Sequence, residues 1–369
     1  MKRLLLVGGW HAHAQVLLDW IRAPLPGVEL LLVTPSALAP YSGMVPGWLA
    51  GHYRFEDICI DFAALARAAG ATLVLDEVVA LDAAARELRL AGGRALSYEL
   101  LSLNIGSTLL PPAVPAPCRL LSLRPLGELR QAWDVLLQGL ASDGAGAGAT
   151  TPLRITMVGG GAAGVESVLA VCRRLRTMQP GRPLQAQLVT RGQSLLPGMA
   201  QGAARRITQA LQQAGVALRL GADFEPAMAE QTDLLLWATG AQAHAWPAAS
   251  GLACHPQGFV SVGTSLQSTS HADVLAVGDC AGWAPPLPKA GVFAVRMGPV
   301  LSANLRAALA GQPLQAYTPQ RRYLALLATA DGSAIGAWGG LSAQGRWLWR
   351  WKDHIDQAFL DRFSMNRPR

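Results

Sequence analysis

The feature that most constrains the fold is a strand, glycine turn, helix and strand pattern that occurs twice. The second copy is the clearer one: an apolar strand from Arg154 leads into Gly159-x-Gly161-x-x-Gly164 and a helix through Arg174. The first glycine makes the tight bend, the second lets a pyrophosphate approach the backbone, and the third lets the helix pack closely on the strand. The sequence therefore predicts a dinucleotide-binding βαβ unit, with a glycine turn used only for packing as the alternative.

The first copy starts near the N-terminus and departs from the pattern. An apolar strand from Arg3 leads into Gly8-Gly9-Trp10-His11-Ala12-His13 and a helix through Trp20. Trp10 stands where a hydrogen-only side chain would let a pyrophosphate come close, and His13 replaces the third glycine. Because another apolar strand follows each copy, at 28–33 and 184–189, two Rossmann-type units are predicted, one with a steric obstacle.

The two histidines of the first turn have two interpretations. His11 and His13 can donate hydrogen bonds to a phosphate or a flavin, or they can satisfy backbone groups at the start of the helix. A metal site is not predicted, because no carboxylate lies nearby in the sequence.

The strand after the second glycine turn ends without the acidic residue that would hold a ribose 2′-hydroxyl. Thr190 and Arg191 stand there instead. A guanidinium at this place can pair with a 2′-phosphate. The sequence thus predicts that NADPH is used at least as well as NADH; a solvated arginine is the alternative.

Composition excludes several classes of protein. With 51% hydrophobic and 15% charged residues among 369, the chain is globular and long enough for two domains. The net charge of +7 comes without a basic stripe interleaved with aromatic residues, so nucleic acid is not a predicted partner. No apolar run approaches the roughly 20 residues that span a bilayer. The apolar start at 4–7 is predicted to be a buried strand, and a cytoplasmic protein is expected.

Cysteine spacing argues against a metal or disulfide framework. The five cysteines are scattered and include no C-x-x-C pair, which excludes the usual zinc-site spacing. Reduced thiols are expected, with a redox pair between distant cysteines as the alternative.

The apolar pattern predicts further elements between and after the two units. Strands are predicted at 72–79, 87–90, 100–104, 234–238 and 274–277, helices at 203–213 and 292–310, and a flexible surface loop at 141–151. The segment Val277-Gly278-Asp279 ends a strand with an aspartate that can bind a ribityl hydroxyl. It gains specificity from the two βαβ units and from Ala238-Thr239-Gly240.

The order of these motifs resembles the pyridine nucleotide-disulfide oxidoreductase superfamily over most of the chain, and more narrowly its type II NADH dehydrogenase-like branch. The segments 40–47 (PYSGMVPG), 288–296 (PKAGVFAVR), 337–340 (AWGG) and 345–350 (GRWLWR) are similar to flavoproteins found fused in front of selenide, water dikinase. The resemblance implies an α/β fold of two doubly wound, Rossmann-like domains: a discontinuous FAD domain (1–115 and 263–312), an inserted NAD(P)H domain (116–262) and a C-terminal segment (313–369). It also implies hydride transfer from NAD(P)H to the flavin N5.

The resemblance further implies which residues contact the cofactors. For FAD these are Gly8, Gly9, Trp10, His11, His13, Thr34, Pro35, Ser42, Gly43, Val79, Ile105, Gly106, Gly278, Asp279, Lys289, Ala290 and Phe293. For NAD(P)H they are Gly159, Gly161, Ala162, Ala163, Gly164, Thr190, Arg191, Thr239 and Gly240. Lys289 and Glu166 are the predicted catalytic residues. Glu166 resembles the family glutamate near flavin and nicotinamide, which can tune hydride geometry or relay a proton; an ordinary helix carboxylate is the alternative.

Departures from the family pattern limit the choice of electron acceptor. The C-x-x-x-x-C redox pair would lie near 42–46, where the chain has no cysteine, so a disulfide reductase is not predicted. Val292 and Arg296 stand where type II NADH dehydrogenases have quinone-facing glutamines. A small-molecule acceptor is predicted, either a quinone or a selenium or sulfur species. Because Trp10 damages the FAD turn, a nucleotide-binding protein without catalysis is the alternative function.

The C-terminal tail is aromatic and basic. Tryptophans alternate with arginine and lysine over 346–352, which favours a strand or edge, and Ile355, Phe359, Leu360 and Phe363 recur at helical spacing. The tail is expected to pack on the flavin domain or on the partner in a homodimer and to shape the acceptor site. Peripheral contact with an anionic membrane is the other hypothesis.

Overall fold

Two parallel five-stranded sheets dominate the computed structural model, which describes residues 1–143, 151–320 and 322–365. This confirms the predicted α/β fold of two Rossmann-like units.

The described strands are β1 Lys2–Val7, β2 Val28–Thr34, β3 Leu38–Pro40, β4 Cys59–Asp61, β5 Thr72–Leu75, β6 Val78–Asp82, β7 Glu87–Leu90, β8 Ala95–Ser97, β9 Leu100–Leu103, β10 Thr108–Leu109, β11 Arg119–Ser122, β12 Leu153–Val158, β13 Leu184–Thr190, β14 Val216–Leu220, β15 Leu234–Trp237, β16 Ala241–Gln242, β17 Val260–Ser261, β18 Val274–Ala276, β19 Ala281–Gly282, β20 Ala325–Ala328, β21 Ala334–Trp338 and β22 Leu341–Gly345. The described α-helices are α1 His11–Arg22, α2 Val45–Leu49, α3 Phe62–Ala68, α4 Leu126–Asp143, α5 Ala162–Met178, α6 Gln201–Gln213, α7 Pro226–Glu230, α8 Gly291–Leu309 and α9 Arg346–Asp361.

The first sheet has the strand order β18-β9-β1-β2-β5. Its centre, β1, is a run of leucines that are fully buried because helices cover the sheet, as parallel strands require. Helix α8 packs on α1 at Gly298, where a Cβ atom would lie 3.0 Å from the Cβ of Gln15. The chain leaves β1 toward β2 on one side, while β9 pairs on the other, so a ligand crevice is expected between the carboxyl ends of β1 and β9.

The second sheet has the order β11-β15-β12-β13-β14, and helix α5 connects β12 to β13. Gly164 on α5 lies so close to the preceding turn that a Cβ atom there would collide with the carbonyl oxygen of Gly159. The third glycine of the motif is therefore required by helix–strand packing. By the same topological argument, the second crevice lies between β12 and β15.

Smaller elements connect and complete the two sheets. Strands β10 and β16 form an antiparallel pair in which Thr108 lies opposite Gln242. This pair links the segment after β9 of the first sheet to the segment after β15 of the second sheet. Strands β20, β21 and β22 form an antiparallel sheet against which α9 packs.

Several sequence expectations need correction. The strand predicted at 72–79 is two strands, β5 and β6, and β6 belongs to a separate antiparallel sheet with β7 and β8. In the stretch predicted as a loop, residues 141–143 end α4, and 144–150 lie outside the described residues. The strand or edge predicted over 346–352 is also wrong, because α9 begins at Arg346.

Along helix α9, the apolar side chains of the tail recur at a spacing of about four residues, which is the helix period. Leu348 and Leu360 are buried on one face, while Trp347, Trp351 and Ile355 form an exposed stripe, 58%, 43% and 37% accessible. Residues four positions apart lie on the same helix face. Trp347 and Trp351 are therefore neighbours on one face of α9, although charged residues stand between them in the sequence. Their rings stack at 6.5 Å. Contact with an anionic membrane stays a hypothesis. No helix in the described ranges combines the length and apolarity needed to cross a bilayer.

We predict that deleting the chain after Gly345 lowers the melting temperature and acceptor reduction together. The deletion removes the buried side chains of Leu348, Leu360 and Phe363, each contributing about 1.5–3 kcal/mol to the free energy of unfolding. Differential scanning calorimetry measures the change. A truncated protein that melts like the full chain would contradict the prediction, and flotation with anionic liposomes tests membrane contact separately.

Candidate functional site

Three strand ends of the first sheet meet at the predicted FAD site. Gly8 follows β1 with φ +97°, and a Cβ atom there would collide with the carbonyl group of Asn104, which follows β9. Gly278 follows β18 with φ +70°, and a Cβ atom there would lie 3.0 Å from the Asn104 amide nitrogen. Both glycines are required because the three turns touch, so the structure brings together the predicted residues of 8–9, 105–106 and 278–279.

The N-terminus of α1 faces this crevice. No side chain caps the helix among the described residues, and its first turn carries no acidic residue. The N–H groups of such a turn can bind an anion. Trp10, the residue before the helix, is half-buried, and its indole Nε1 lies 3.9 Å from the position of a Cβ atom on Gly106. The indole of Trp10 therefore reaches the turn that follows β9.

The contacts of His13 support the interpretation that this histidine satisfies protein groups at the start of α1. Its Nδ1 donates to the carbonyl of Gly8 at 2.7 Å, and its Nε2 accepts from the Ser102 hydroxyl at 2.8 Å. Burial lowers the pKa of His13 to about 4, so the ring is neutral at pH 7. Both ring nitrogens are occupied by protein groups, and a cofactor contact of His13 therefore stays a prediction.

His11 differs from His13. It is buried, its pKa is lowered to about 4 by burial, and its Nδ1 has no hydrogen-bond partner among the described residues. Its ring lies edge-on to Tyr41 at 5.2 Å and to Phe359 at 5.7 Å. An unpartnered buried nitrogen is costly, so His11 is the better candidate for a cofactor contact.

Asp279 carries an ion pair that sequence reasoning missed. Its Oδ2 accepts from Arg124 Nη1 at 2.8 Å, and Arg124 also donates to the hydroxyl of Ser107, the residue after Gly106. Arg124 follows β11, so it reaches Asp279 from the second sheet's part of the chain. Its Nε and Nη2 have no partner among the described residues, which leaves cationic donors at the crevice. An Arg-Pro pair after a strand gives no sequence signal for this role.

Lys289 is held by protein groups. Its ammonium donates to the carbonyl of Ala281 at 2.8 Å and lies 3.6 Å from the centre of the Phe259 ring. Burial lowers the pKa of Lys289. The predicted catalytic role of this residue stays a prediction.

The start of α8 reaches the same region from another direction. A Cβ atom on Gly291 would lie 3.1 Å from the Ser42 hydroxyl and 3.8 Å from the His11 ring. The structure thus brings together Ser42, His11 and the helix start that includes Ala290. Phe293, one turn into α8, is buried.

Other predicted FAD contacts lie away from these turns or have protein partners. The Thr34 hydroxyl, at the end of β2, donates to the carbonyl of Ser36 at 3.1 Å, and Pro35 is exposed. Val79 lies on β6, outside the parallel sheet, and its side chain is exposed. The carbonyl of Ile105 accepts from His244 Nε2 at 3.2 Å.

The second glycine turn is open on the side of the crevice. Gly159 has φ +125°, and Gly161 and Ala163 are exposed at an α5 N-terminus that no described side chain caps. A Cβ atom on Gly161 would meet no described atom within 4 Å. Gly240, with φ +76°, is also open and follows β15 across the crevice with Thr239. This arrangement fits the pyrophosphate of NAD(P)H.

We predict that Arg191→Ala weakens NADPH binding by about 1.5–3 kcal/mol and leaves NADH binding unchanged. Arg191 is highly exposed, and its contact with Asp223 is long, at 3.6 Å between Nε and Oδ1. The guanidinium is therefore free to meet a 2′-phosphate. Steady-state kinetics with both nucleotides measure the effect, and Arg219→Ala on the neighbouring strand removes the same charge as a control. An NADH preference that survives Arg191→Ala would contradict the prediction.

Glu166 lies two residues after Gly164 on the buried side of α5. Its Oε1 accepts from the backbone N–H of Ala328 at 2.7 Å. Burial raises the pKa of Glu166 to about 7; Lys352 and the Ala328 N–H lower it, and Asp356 raises it further. A carboxyl group in this range can hold or release a proton at neutral pH, as a general acid or base must.

The five cysteines form no disulfide bond in this structure, and a redox pair between distant cysteines stays a hypothesis. All five are free thiols, and burial raises the pKa of Cys59 to about 12 and of Cys172 to about 11. In the described ranges, no group of His, Cys, Asp and Glu side chains has the geometry of a metal site.

We therefore predict that reduction with NADPH releases no new thiols. The residues 42–46 that correspond to the family's redox pair contain no cysteine. Thiol titration in denaturant, before and after anaerobic reduction, measures this. Two additional thiols after reduction would contradict it.

Comparison with known proteins identifies the family. The model of the pyridine nucleotide-disulphide oxidoreductase family matches residues 3–298, most of the chain. The chain belongs to this family. The predicted superfamily, the enzyme class and the cofactor pair are confirmed at the level of the family, whose members are FAD-dependent NAD(P)H oxidoreductases. The narrower resemblance to flavoproteins fused to selenide, water dikinase stays a prediction.

Solved structures share the fold at low sequence identity. The sulfide:quinone oxidoreductase of Aquifex aeolicus has a TM-score of 0.78 and 16% identity, over 98% of this chain and 91% of that one. The water-forming NADH oxidase of Lactobacillus brevis has a TM-score of 0.68 and 20% identity, over 92% and 75%. The NADH:rubredoxin oxidoreductase of Clostridium acetobutylicum has a TM-score of 0.68 and 16% identity, over 90% and 81%. These likenesses confirm the fold and leave the acceptor open.

Proposed function

We propose that this member of the family passes electrons from NAD(P)H, bound at the second crevice, through FAD, bound at the first, to a small-molecule acceptor. The observation that carries the proposal is that one chain presents two parallel sheets, each with an uncapped helix N-terminus at the crevice where the strand order reverses. Such a crevice is where dinucleotides bind in doubly wound folds. The proposed domains keep the bounds given above, and the pairing of β18 with β9 supports the discontinuity of the first.

The residues of the first crevice fit FAD with one exception. Asp279, Ser107 and the free nitrogens of Arg124 supply groups for the ribityl chain and the pyrophosphate, and the α1 N-terminus supplies backbone donors. The exception is Trp10, whose indole has to rotate out of the crevice before a pyrophosphate can enter. Bound FAD would supply the two-electron carrier that these side chains lack. Glu166, a buried carboxyl group on α5, would hold or release a proton.

We propose a quinone or a selenium or sulfur species as the acceptor. Support for a small molecule that takes up protons with its electrons comes from Glu166, a buried carboxyl group that titrates near neutral pH. The quinone alternative has no support from Val292 or Arg296, because neither side chain offers the amide of a glutamine.

A flavin spectrum followed by NADPH addition tests the proposal. The protein, purified after expression with FAD or reconstituted with it, should absorb near the visible flavin maxima and bleach when NADPH is added without oxygen. A colourless protein that binds NADPH and cannot be reconstituted would favour the second candidate, a nucleotide-binding protein without catalysis. The covered first turn, with Trp10 over Gly106, is the observation that favours that candidate.

A further inference from the structure

A cleft of about 610 Å³ lies between helix α6 and the turn of the β21–β22 hairpin. Helix α6 packs against both strands of this hairpin, and a Cβ atom on Gly202 would collide with the Ser342 hydroxyl. The cleft is therefore formed jointly by the second Rossmann-like unit and the C-terminal segment. The side chains that line it and can form hydrogen bonds are those of Gln201, Arg205, Arg206, Gln209 and Ser342.

These five side chains have no partners of their own. Among the described residues, none of the five takes part in a hydrogen bond or an ion pair through its side chain. No acidic side chain from the described part of the chain lines the cleft, so Arg205 and Arg206 carry two neighbouring positive charges without a counter-charge. Neighbouring like charges repel each other, and an anion bound in the cleft would remove that repulsion.

The spacing of these groups along α6 brings them to one side of the helix. Gln201, Arg205 and Gln209 are four positions apart and therefore lie along one helix face. Arg206 lies one turn after Gly202, the residue that meets the hairpin. The two guanidinium groups and the two amides can therefore reach the same ligand.

The hairpin contributes an apolar surface and a further positive charge. Leu341 lines the cleft and is 77% exposed. The side chain of Arg322 lies against the hairpin turn, with its Cδ 3.8 Å from the position of a Cβ atom on Gly339. A ligand in the cleft would therefore meet hydrogen-bond donors from α6 and an uncovered apolar side chain from the hairpin.

We propose that this cleft binds a small organic phosphate. Its phosphate group pairs with Arg205 and Arg206 and accepts from the Ser342 hydroxyl. Guanidinium groups bind phosphate through parallel hydrogen bonds, and a phosphate monoester offers a charge of about −2 and three acceptor oxygens. The volume of the cleft lies in the range of small-molecule sites, which leaves room for an organic part that covers Leu341 and bonds to the two glutamine amides.

Calorimetric titration of the full chain with glucose 6-phosphate tests the proposal, with glucose and inorganic phosphate as comparisons. Glucose 6-phosphate should bind and glucose should not, while inorganic phosphate should bind more weakly because it leaves Leu341 uncovered. Glucose 6-phosphate should also raise the melting temperature as its concentration rises, because it binds the folded chain. Its affinity should fall when salt is added, since salt screens exposed charges.

Two substitutions locate the binding site. Arg205→Gln and Arg206→Gln should each weaken binding about tenfold or more, the usual loss for a hydrogen bond to a charged group. Both positions are exposed, so the variants should melt like wild type. Replacing both arginines by lysine keeps the charges and loses the parallel hydrogen bonds, so binding should be intermediate. The control combines Arg67→Gln with Arg94→Gln, which removes the same charge from exposed positions elsewhere.

Four results would overturn the proposal. Glucose 6-phosphate might not bind to the wild-type chain, or it could bind equally well after Arg205→Gln and Arg206→Gln. A loss of NADPH affinity in these two variants would place both arginines at the second crevice instead. Binding only to vesicles of phosphatidylglycerol, lost in the same variants, would assign the phosphate to a lipid headgroup.

The binding measurements require neither FAD nor turnover, and the inference goes beyond the proposed function. A protein that never takes up flavin would refute the proposed function and leave the result for the cleft unchanged. A protein that bleaches with NADPH and does not bind glucose 6-phosphate would do the reverse.

Discussion

Trp10→Gly is expected to raise the affinity for FAD by roughly tenfold to a hundredfold. In the wild-type protein, the cofactor must displace a half-buried indole that lies over Gly106. Taking a large side chain out of such packing costs about 1.5–3 kcal/mol, and each 1.4 kcal/mol is a factor of about ten in affinity. Glycine removes this cost and restores the residue that lets a pyrophosphate approach the backbone. Titration of apoprotein with FAD, followed by fluorescence, measures the change.

Trp10→Phe is the matched control, because it keeps an aromatic ring in the crevice and should improve binding far less. The FAD content of the purified proteins gives a second measurement that does not depend on activity. If Trp10→Gly and wild type retain the same amount of FAD with the same affinity, the indole does not obstruct the site and the steric argument is wrong.

Glu166→Gln is expected to lower turnover by about a hundredfold or more, the usual range for loss of a general acid or base. Glutamine keeps an oxygen for the Ala328 N–H, so the local packing is preserved while the proton is lost. The step near pH 7 that Glu166 places in the pH profile should disappear with it. Glu128→Gln, an exposed glutamate in the first turn of α4, is the control. Turnover within twofold of wild type would favour the ordinary helix carboxylate.

The same substitution should change stability in a pH-dependent way. Burial raises the folded-state pKa of Glu166 from 4.5 to about 7. The Glu166 carboxyl therefore makes its full favourable contribution to the free energy of unfolding below pH 4.5, where it is protonated in both the folded and the unfolded state. This contribution is lost as the pH rises through 7. Because glutamine does not ionise, Glu166→Gln avoids this loss in the free energy of unfolding, which is roughly 3 kcal/mol at most. The variant should melt at higher temperature than wild type at pH 8 and show little difference at pH 4.

The glycine motifs made the overall architecture predictable because they describe local geometry. Gly159 and Gly164 must lack side chains where the turn and the helix approach each other, and the neighbouring apolar strands must be buried. The same local information located Glu166 on α5. The C-terminal helix was less predictable, because alternating Trp347 and Trp351 with charged residues satisfies both a strand period and a four-residue helix stripe.

The sequence alone determined the two strand–turn–helix units, the family, and the residue types at the crevices, because these depend on neighbours within a few positions. Only the tertiary structure decided how distant groups combine. Arg124 reaches Asp279 across 155 positions, and Lys352 reaches Gly43 across 309. No local pattern records such contacts, since they depend on how sheets and helices pack. The burial that moves the pKa of Glu166 toward 7 is likewise a property of the whole fold, because it requires distant segments such as β20 to pack against α5.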